Sequence, residues 1–236
     1  MKTSQFHVPL DLVRNNPNEK IHSIESSRFK EYGRILHDFD ATELVSLADR
    51  VTTIPEQDTT YETYLPALEE TSLMEELKLY YGGQDIQIGY CNGKNQCING
   101  MEYHKSPELF IAVTDCLQFL TPFSAMQDYD SVDTTKAELF YFPKGSVTIV
   151  DANVLHFAPC AVSNNGFKSI IVLPRGTNEP LEEKMKAVLK RSNDPESRLL
   201  INNNKWLIAH PEREKLIKQG VHAGLRGPNR RVIPVS

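Results

Sequence analysis

Six short apolar runs with a period of two residues constrain most strongly what this 236-residue chain can fold into. They read DIQIGYC, ELFIAVTD, CLQFL, AELFYF, SVTIVD and KSIIVL, lie between residues 85 and 174, and are separated by turn-forming residues. Short runs rich in Ile, Val, Phe and Tyr are typical of strands in a sandwich or barrel. The strands do not alternate with helices as they would in a parallel α/β sheet. The pattern therefore predicts a mainly β protein built around a small antiparallel barrel.

Helical patterns flank this region on both sides. Residues 1–84 have apolar side chains at helical spacing in DATELVSLADRV and in EETSLMEELKLYY. Residues 179–236 contain the amphipathic run PLEEKMKAVLKR, the strand-like LLINNNKWLIAH and the helical PEREKLIKQG. The length suits one barrel with additions and is short for two full domains. We expect one domain over residues 1–236, with a mainly helical N-terminal extension, a barrel core over residues 85–178, and C-terminal helices with a strand.

Composition narrows the class of protein. The net charge is -5, and the only basic block is a short tail from Arg226 to Arg231, so nucleic acid is not an expected partner. The N-terminus lacks the apolar core of a signal peptide, and no stretch approaches the roughly 18 apolar residues of a membrane span. The four cysteines form no CxxC pair, which favours reduced thiols. We predict a cytoplasmic protein with a small-molecule substrate and no membrane contact.

Two glutamates and two histidines have the composition of a divalent-metal site. Three of them form the pattern Glu102-x-His104-x3-Glu108, and the fourth is His156 in a later strand-like segment. On a strand, positions i and i+2 point to the same side, so Glu102 and His104 can face one cavity. Glu108 would enter after the Lys-Ser-Pro turn. Imidazole and carboxylate ligands together suit Mn, Fe, Zn, Co or Ni.

Each of these residues also has a simpler interpretation. Glu102 and His104 could be ordinary exposed strand residues, because a Glu-x-His pair is common by chance. His156 stands between two apolar residues and could be a buried histidine whose ring bonds a backbone carbonyl. The order and spacing of the four residues together favour the metal hypothesis.

The segment around His156 resembles a known motif. It has the spacing Gly145-x5-Asp151-x-Asn153-x2-His156, similar to the second cupin motif, Gly-x5-Pro-x-Gly-x2-His-x3-Asn. Asp and Asn replace the Pro and the second Gly, and Cys160 stands where the final Asn would be. Asn is second only to Gly in its tolerance of a positive φ, so we expect that conformation at Asn153.

The earlier segment is similar to the first cupin motif, His-x-His-x3-4-Glu, with Glu102 in place of the first His. Together with EYHKSPELFIAVTD, KAELFYFPKGSV, VLHFAPC and VLPRGTN, the resemblance covers residues 85–178. These segments are most similar to bacterial cupin-like domains of unknown function, with a fainter resemblance to ureidoglycolate lyases. The resemblance implies a double-stranded β-helix, metal ligation by Glu102, His104, Glu108 and His156, and a homodimer, which cupins often form.

The geometry of the expected barrel suggests other candidate site residues. Residues two or four steps from a ligand line the same cavity, which nominates Gln87, Glu138 and Tyr141 for proton transfer. Lys168 and Arg175 could bind an anionic substrate if their strand ends open to the cavity. A surface charge is the alternative for both cations.

Two classes of function remain open from the sequence. The first is a metal-dependent enzyme, in which the ion stabilises an enediolate or favours elimination from a hydroxy acid. Isomerase, epimerase or lyase chemistry on a small sugar, sugar phosphate or hydroxy acid follows from it, with oxygen-dependent chemistry as a rival. The second is a non-catalytic metal- or sugar-binding cupin that acts as a sensor or binding protein, since fold alone does not decide between them.

Overall fold

A computed structural model describes residues 7–236 of the chain, and two β-sheets dominate it. The strands are β1 (Ile21–Ser23), β2 (Gly33–Ile35), β3 (Thr59–Glu62), β4 (Ile86–Gly93), β5 (Gly100–Tyr103), β6 (Glu108–Ala112), β7 (Cys116–Pro122), β8 (Val132–Asp133), β9 (Glu138–Phe142), β10 (Val147–Val150), β11 (Val154–Leu155), β12 (Cys160–Ala161), β13 (Phe167–Pro174), β14 (Leu200–Asn202), β15 (Lys205–Ala209) and β16 (Leu225–Arg226).

Short helices connect and cover these strands. The α-helices are α1 (Leu10–Asn15), α2 (Thr42–Val51), α3 (Pro66–Glu69), α4 (Met74–Lys78), α5 (Glu183–Leu189) and α6 (Glu214–Lys218). Turns of 3₁₀ helix lie at Ser27–Glu31, Leu79–Tyr81, Phe123–Ala125, Thr134–Lys136 and Pro195–Leu199. Among the helices of residues 7–236, none is both long and apolar enough to cross a bilayer.

The larger sheet has the strand order β2-β10-β6-β13-β4-β3, and every neighbouring pair in it is antiparallel. The smaller sheet has the order β1-β9-β7-β11, with β12 also paired to β7, and only the β1–β9 pair is parallel. A third sheet, β14-β15-β5, joins the C-terminal region to the strand that carries Glu102. The expected mainly β architecture of antiparallel sheets with helical additions is confirmed.

The two main sheets pack face to face through alternate side chains of their strands. Phe110 of β6 and Phe142 of β9 meet edge to face, with ring centroids 5.1 Å apart, inside one buried cluster. Their neighbours point the other way: Leu109 and Ile111 pack against helices α2 to α4 on the outer face of the larger sheet. A period of two therefore separates the interior of the barrel from its outer layers.

The outer face of the smaller sheet is covered by a different part of the chain. Leu117, Phe119 and Leu139 pack there against Met101 of β5 and Ile208 of β15. The predicted strand-like segment near residue 205 is thus real, and it forms a hairpin of two strands rather than one. This packing brings β5 and β15 to one end of the barrel.

The N-terminal segment differs in part from its description as a mainly helical extension. It contains the expected helices, but strands β1, β2 and β3 also come from it and extend the two sheets. Strand β3 pairs with β4 along the edge that borders the cavity described below. The division of the chain at residues 84 and 178 within a single domain stays a prediction.

The turn before His156 corrects one expectation. Gly145 has a φ of 82°, whereas Asn153 is not among the described residues with positive φ. A hydrogen bond from the Val154 amide to the Asp151 carbonyl, 3.1 Å long, closes this turn without a left-handed residue. Asn153 therefore takes the place of the motif's second glycine without needing its conformational freedom.

Candidate metal centre

Strand β5 and the residue that follows it place Glu102 and His104 on one side of the sheet, as the alternation predicted. Met101 and Tyr103, the residues between and beside them, point instead into the outer apolar cluster. Glu102 Oε1 lies 3.8 Å from His104 Nε2, and both side chains are buried.

Glu108 and His156 approach the same point from two other strands. Glu108 opens β6, and its Oε2 lies 3.6 Å from His104 Nε2 and 3.4 Å from His156 Nε2. His156 follows β11, and its backbone forms a two-bond bridge with Glu102, with N–O distances of 2.7 and 2.9 Å. One ligand atom from each of Glu102, His104 and His156 lies within 4.8 Å of the others. Glu108 contacts both imidazoles of this group.

The hydrogen bonds of the two imidazoles fix which ring nitrogen is available to a metal. His104 Nδ1 lies 2.7 Å from the Asn204 carbonyl, and His156 Nδ1 lies 2.9 Å from the Val154 carbonyl. A carbonyl only accepts, so each Nδ1 carries the hydrogen and each Nε2 of the neutral ring has a free lone pair. Within the described residues, both Nε2 atoms are buried without a hydrogen-bond partner. This arrangement, in which the far ring nitrogen is held by a carbonyl, is the one that metal-binding histidines use.

The charged side chains of the site shift the pKa values of one another. Burial by itself would raise the pKa of Glu108, but His156 and His104 together hold it well below its usual range. Burial likewise would lower the pKa of His156, but the Glu108 carboxylate raises it to about 9. Without a metal, Glu108 is therefore ionised at neutral pH. His156 is then a cation, with a proton on Nε2 as well as on Nδ1. Two buried carboxylates and two imidazoles can replace the Nε2 proton with a divalent cation, so the side chains fit such an ion.

Metal affinity should therefore depend on pH. Because His156 keeps its proton up to about pH 9, a metal must displace one proton, and the apparent affinity for Zn²⁺ should rise about tenfold per pH unit between pH 6 and 8. Glu108 adds no proton to this exchange, since its pKa is lowered. Calorimetric titration in buffers of different ionisation enthalpy measures the proton released per metal bound. An affinity that is constant across this range would contradict the assignment.

The carboxylates and His156 line a cavity of about 230 Å³. Its polar lining includes Tyr61 of β3, Gln118 of β7 and Lys205 of β15, and its apolar wall includes Phe157 and Ile171. The Lys205 ammonium forms an ion pair with Glu102 Oε2. Lys205 thus holds the second carboxylate oxygen while Oε1 faces His104.

The three residues nominated for proton transfer lie elsewhere, which corrects those predictions. Glu138 is at the start of β9, where its carboxylate accepts hydrogen bonds from Arg28 Nε and Nη2 and lies 3.7 Å from His22 Nε2. Tyr141 points to the outer face of the smaller sheet and donates to Asp115, 2.9 Å away. The Gln87 amide is used by the turn after β13, to which it donates at Thr177 and from which it accepts at Gly176. Glu138 and Gln87 lie at strand ends away from the cavity. Tyr141 lies on the face of its strand that points away from the barrel interior.

The two cations nominated for substrate binding also lie outside the cavity lining of the described residues. Lys168 is on the helix-facing side of β13, and its ammonium binds Asp49 and the Thr52 carbonyl at the end of α2. Arg175 follows β13 and pairs with Glu69 and Asp85. Both therefore fix the helical layer to the sheet.

Sequence reasoning missed Tyr61, Gln118 and Lys205. Gln118 carried a usable signal, because it is a polar residue in the apolar run CLQFL at the alternation of the inward-facing Cys116 and Leu120. Lys205 and Tyr61 carried none, since their approach depends on the pairing of β15 with β5 and of β3 with β4.

The two facing sheets and the buried Glu and His side chains define a mainly β protein with a site that can hold a divalent metal. The chain belongs to the family described as a domain of unknown function, DUF4867, whose model matches residues 21–230. No curated protein matches this chain. The fainter likeness to ureidoglycolate lyases stays a prediction.

Several solved structures align with part of the chain. A variant of the Bacillus subtilis oxalate decarboxylase gives a TM-score of 0.30 at 9% identity, over 39% of this chain and 22% of that one. Salicylate 1,2-dioxygenase from Pseudoaminobacter salicylatoxidans gives 0.30 at 10% identity, over 56% and 30%. Hydroxypropylphosphonic acid epoxidase from S. wedmorenis gives 0.29 at 13% identity, over 37% and 42%. The chain spans less than half the length of each, and these partial likenesses do not bear on its reaction.

Proposed function

We propose that this protein is a metal-dependent enzyme that acts on a small sugar, sugar phosphate or hydroxy acid by isomerase, epimerase or lyase chemistry. One observation carries the proposal: two buried imidazoles, each oriented by a carbonyl at Nδ1, present their Nε2 atoms to two carboxylates beside a cavity. Glu102, His104, Glu108 and His156 would hold the ion. A divalent metal there would supply a Lewis acid for a hydroxyl or carbonyl oxygen of the substrate.

Tyr61 is the candidate proton donor of the cavity. Its hydroxyl oxygen accepts a hydrogen bond from Asn178 Nδ2 over 2.6 Å, which leaves its own hydrogen free to point into the cavity. Burial, and then the charge of Glu108, raise the pKa of Tyr61 well above its ordinary value. The phenol therefore stays protonated at neutral pH and can donate to a substrate oxygen that gains negative charge.

The apolar wall supports this chemistry by limiting water. Phe157, Ile171 and Leu216 contribute apolar surface to the lining of the cavity. A cavity with few water molecules strengthens the electrostatic interactions inside it and protects a carbanion-like species from stray protons. The rigid β5–β15 pairing keeps Glu102 and Lys205 in place during such a step.

Metal analysis combined with a turnover panel tests the proposal. The purified protein should contain about one divalent ion per chain, and it should turn over one member of a panel of pentoses, uronates, sugar phosphates and ureidoglycolate. Chelation should abolish turnover and a divalent metal should restore it, without added oxygen or nicotinamide. The matched control is the double variant Glu102→Ala with His104→Ala, which should bind no metal.

The outcomes separate the competing functions. Bound metal without turnover on the whole panel would favour the non-catalytic metal- or sugar-binding protein. A strict requirement for oxygen would favour oxygen-dependent chemistry instead. Turnover that persists in the double variant would place the catalytic centre elsewhere.

A further inference from the structure

We infer that Lys205 and Gln118 form the recognition site for the substrate, and that they select a small hydroxy acid carrying one carboxylate. This inference rests on the proposed function and narrows its substrate class. Both residues line the cavity that Glu102, Glu108 and His156 also line. They reach it from different sheets, Lys205 from β15 and Gln118 from β7.

Lys205 supplies the cation inside the cavity. Its side chain is 17% exposed, its ammonium pairs with Glu102 Oε2, and it lies 5.7 Å from the centroid of the Tyr61 ring. An ammonium has three N–H donors, and Glu102 does not use all of them. The remaining donors are available to a ligand in the cavity, next to the expected position of the metal.

The charges of the loaded site favour a monoanion. Glu102 and Glu108 cancel the two positive charges of a divalent ion, and the imidazoles are neutral as ligands. The Lys205 ammonium then leaves one net positive charge. A ligand with one carboxylate would neutralise it, whereas a neutral polyol would leave it buried at a cost in free energy.

A cluster of two cations and one anion lies at the mouth of the cavity. Arg213 and Lys215 line it, and both pair with the single carboxylate of Asp58, at 2.8 and 3.3 Å. These three residues together carry one net positive charge. Such a field attracts small anions toward the interior and raises their local concentration.

Gln118 supplies a hydrogen-bond acceptor. Its Nε2 lies 3.4 Å from the Phe157 carbonyl, which can only accept, so the amide nitrogen must face that carbonyl. Its Oε1 is buried and, within residues 7–236, has no hydrogen-bond partner. A buried amide oxygen without a partner costs free energy that a hydroxyl of the ligand would recover.

A carboxylate explains this lining better than a phosphate does. The deeper part of the cavity offers one ammonium, and the two further cations at the mouth already bind Asp58. Phosphate sites in proteins use bidentate arginines or several backbone amides to match more charge and more oxygens. The volume of about 230 Å³ is also below the roughly 300–1,000 Å³ of pockets for drug-sized ligands.

Four matched probes test the inference. Erythronate carries the carboxylate and hydroxyls, erythritol only hydroxyls, butyrate only the carboxylate, and erythrose 4-phosphate a phosphate. Calorimetric titration of the wild-type protein should show the tightest binding for erythronate, by about tenfold over erythritol and butyrate. Lys205→Met should weaken erythronate binding roughly 10- to 100-fold and leave erythritol unchanged. Gln118→Leu should weaken erythronate and erythritol by about three- to tenfold but not butyrate.

The controls separate this inference from the proposed function. Each titration is made on metal-loaded and on EDTA-treated protein, and the metal content of each sample is measured. The effect of a lost metal ion is thereby distinguished from the effect of a lost Lys205 ammonium. Lys184→Met removes an exposed lysine outside the cavity lining and should change no affinity. Three outcomes would overturn this inference and leave the proposed function intact. They are metal binding without a preference for erythronate, equal erythronate affinity in Lys205→Met and the wild-type protein, and tighter binding of erythrose 4-phosphate than of erythronate. Absence of binding by all four probes would also overturn it, whereas absence of metal would overturn the proposed function.

Discussion

Replacing His156 with alanine should abolish metal binding. The imidazole Nε2 faces Glu108 at 3.4 Å, and its Nδ1 is held by the Val154 carbonyl, so the change removes an oriented nitrogen ligand from the group. The loss in affinity should exceed the roughly 10- to 100-fold that loss of an outer hydrogen-bond partner of a ligand causes. Metal content of the purified variant and competition with a chromophoric chelator measure the effect.

Cys160→Ala is the matched control for this experiment. Cys160 is buried, lies four residues further along the chain, and belongs to the apolar cluster on the outer face of the smaller sheet. Its replacement should leave metal affinity unchanged. Thermal unfolding of both variants shows whether each retains its fold. Retained metal in a folded His156→Ala variant would remove His156 from the ligand set.

Replacing Tyr61 with phenylalanine should lower turnover by about 100- to 10,000-fold, the usual contribution of a positioned acid. The change removes the hydroxyl and keeps the ring, so the contact between the ring and the Lys205 ammonium is retained. Metal content should be unchanged, because Tyr61 is not one of the four proposed ligands. The effect should fall on kcat rather than on KM, since a proton donor acts mainly in the transition state.

Tyr64→Phe provides the control for Tyr61→Phe. Tyr64 is three residues away and 50% exposed, and it does not belong to the cavity lining of the described residues. Its loss of a hydroxyl should not change turnover. A kcat within threefold of the wild-type value in Tyr61→Phe would show that this phenol does not deliver the proton.

The hydrophobic pattern of the sequence determined the architecture of the two main sheets. Each of the six runs contains a strand, because a strand that is buried on both faces, as β6 and β10 are, leaves a short apolar run between turn residues. The spacing of Glu102 and His104 likewise determined that they share a side, since strand geometry fixes that relation locally. The strands β1 to β3 left a weaker signal, because they are short edge elements whose pairing stabilises them more than their composition does.

The residues that surround the metal ligands were decided only by tertiary structure. Alternation predicts the face of a strand but not which end of the barrel is open, so Glu138 and Gln87 could not be excluded from their positions alone. The approach of Lys205 to Glu102 depends on β15 pairing with β5 across about 100 residues of sequence. The sequence by itself therefore determined the antiparallel sheets and the shared side of Glu102 and His104, while the long-range strand pairing decided which side chains share the cavity with the proposed ligands.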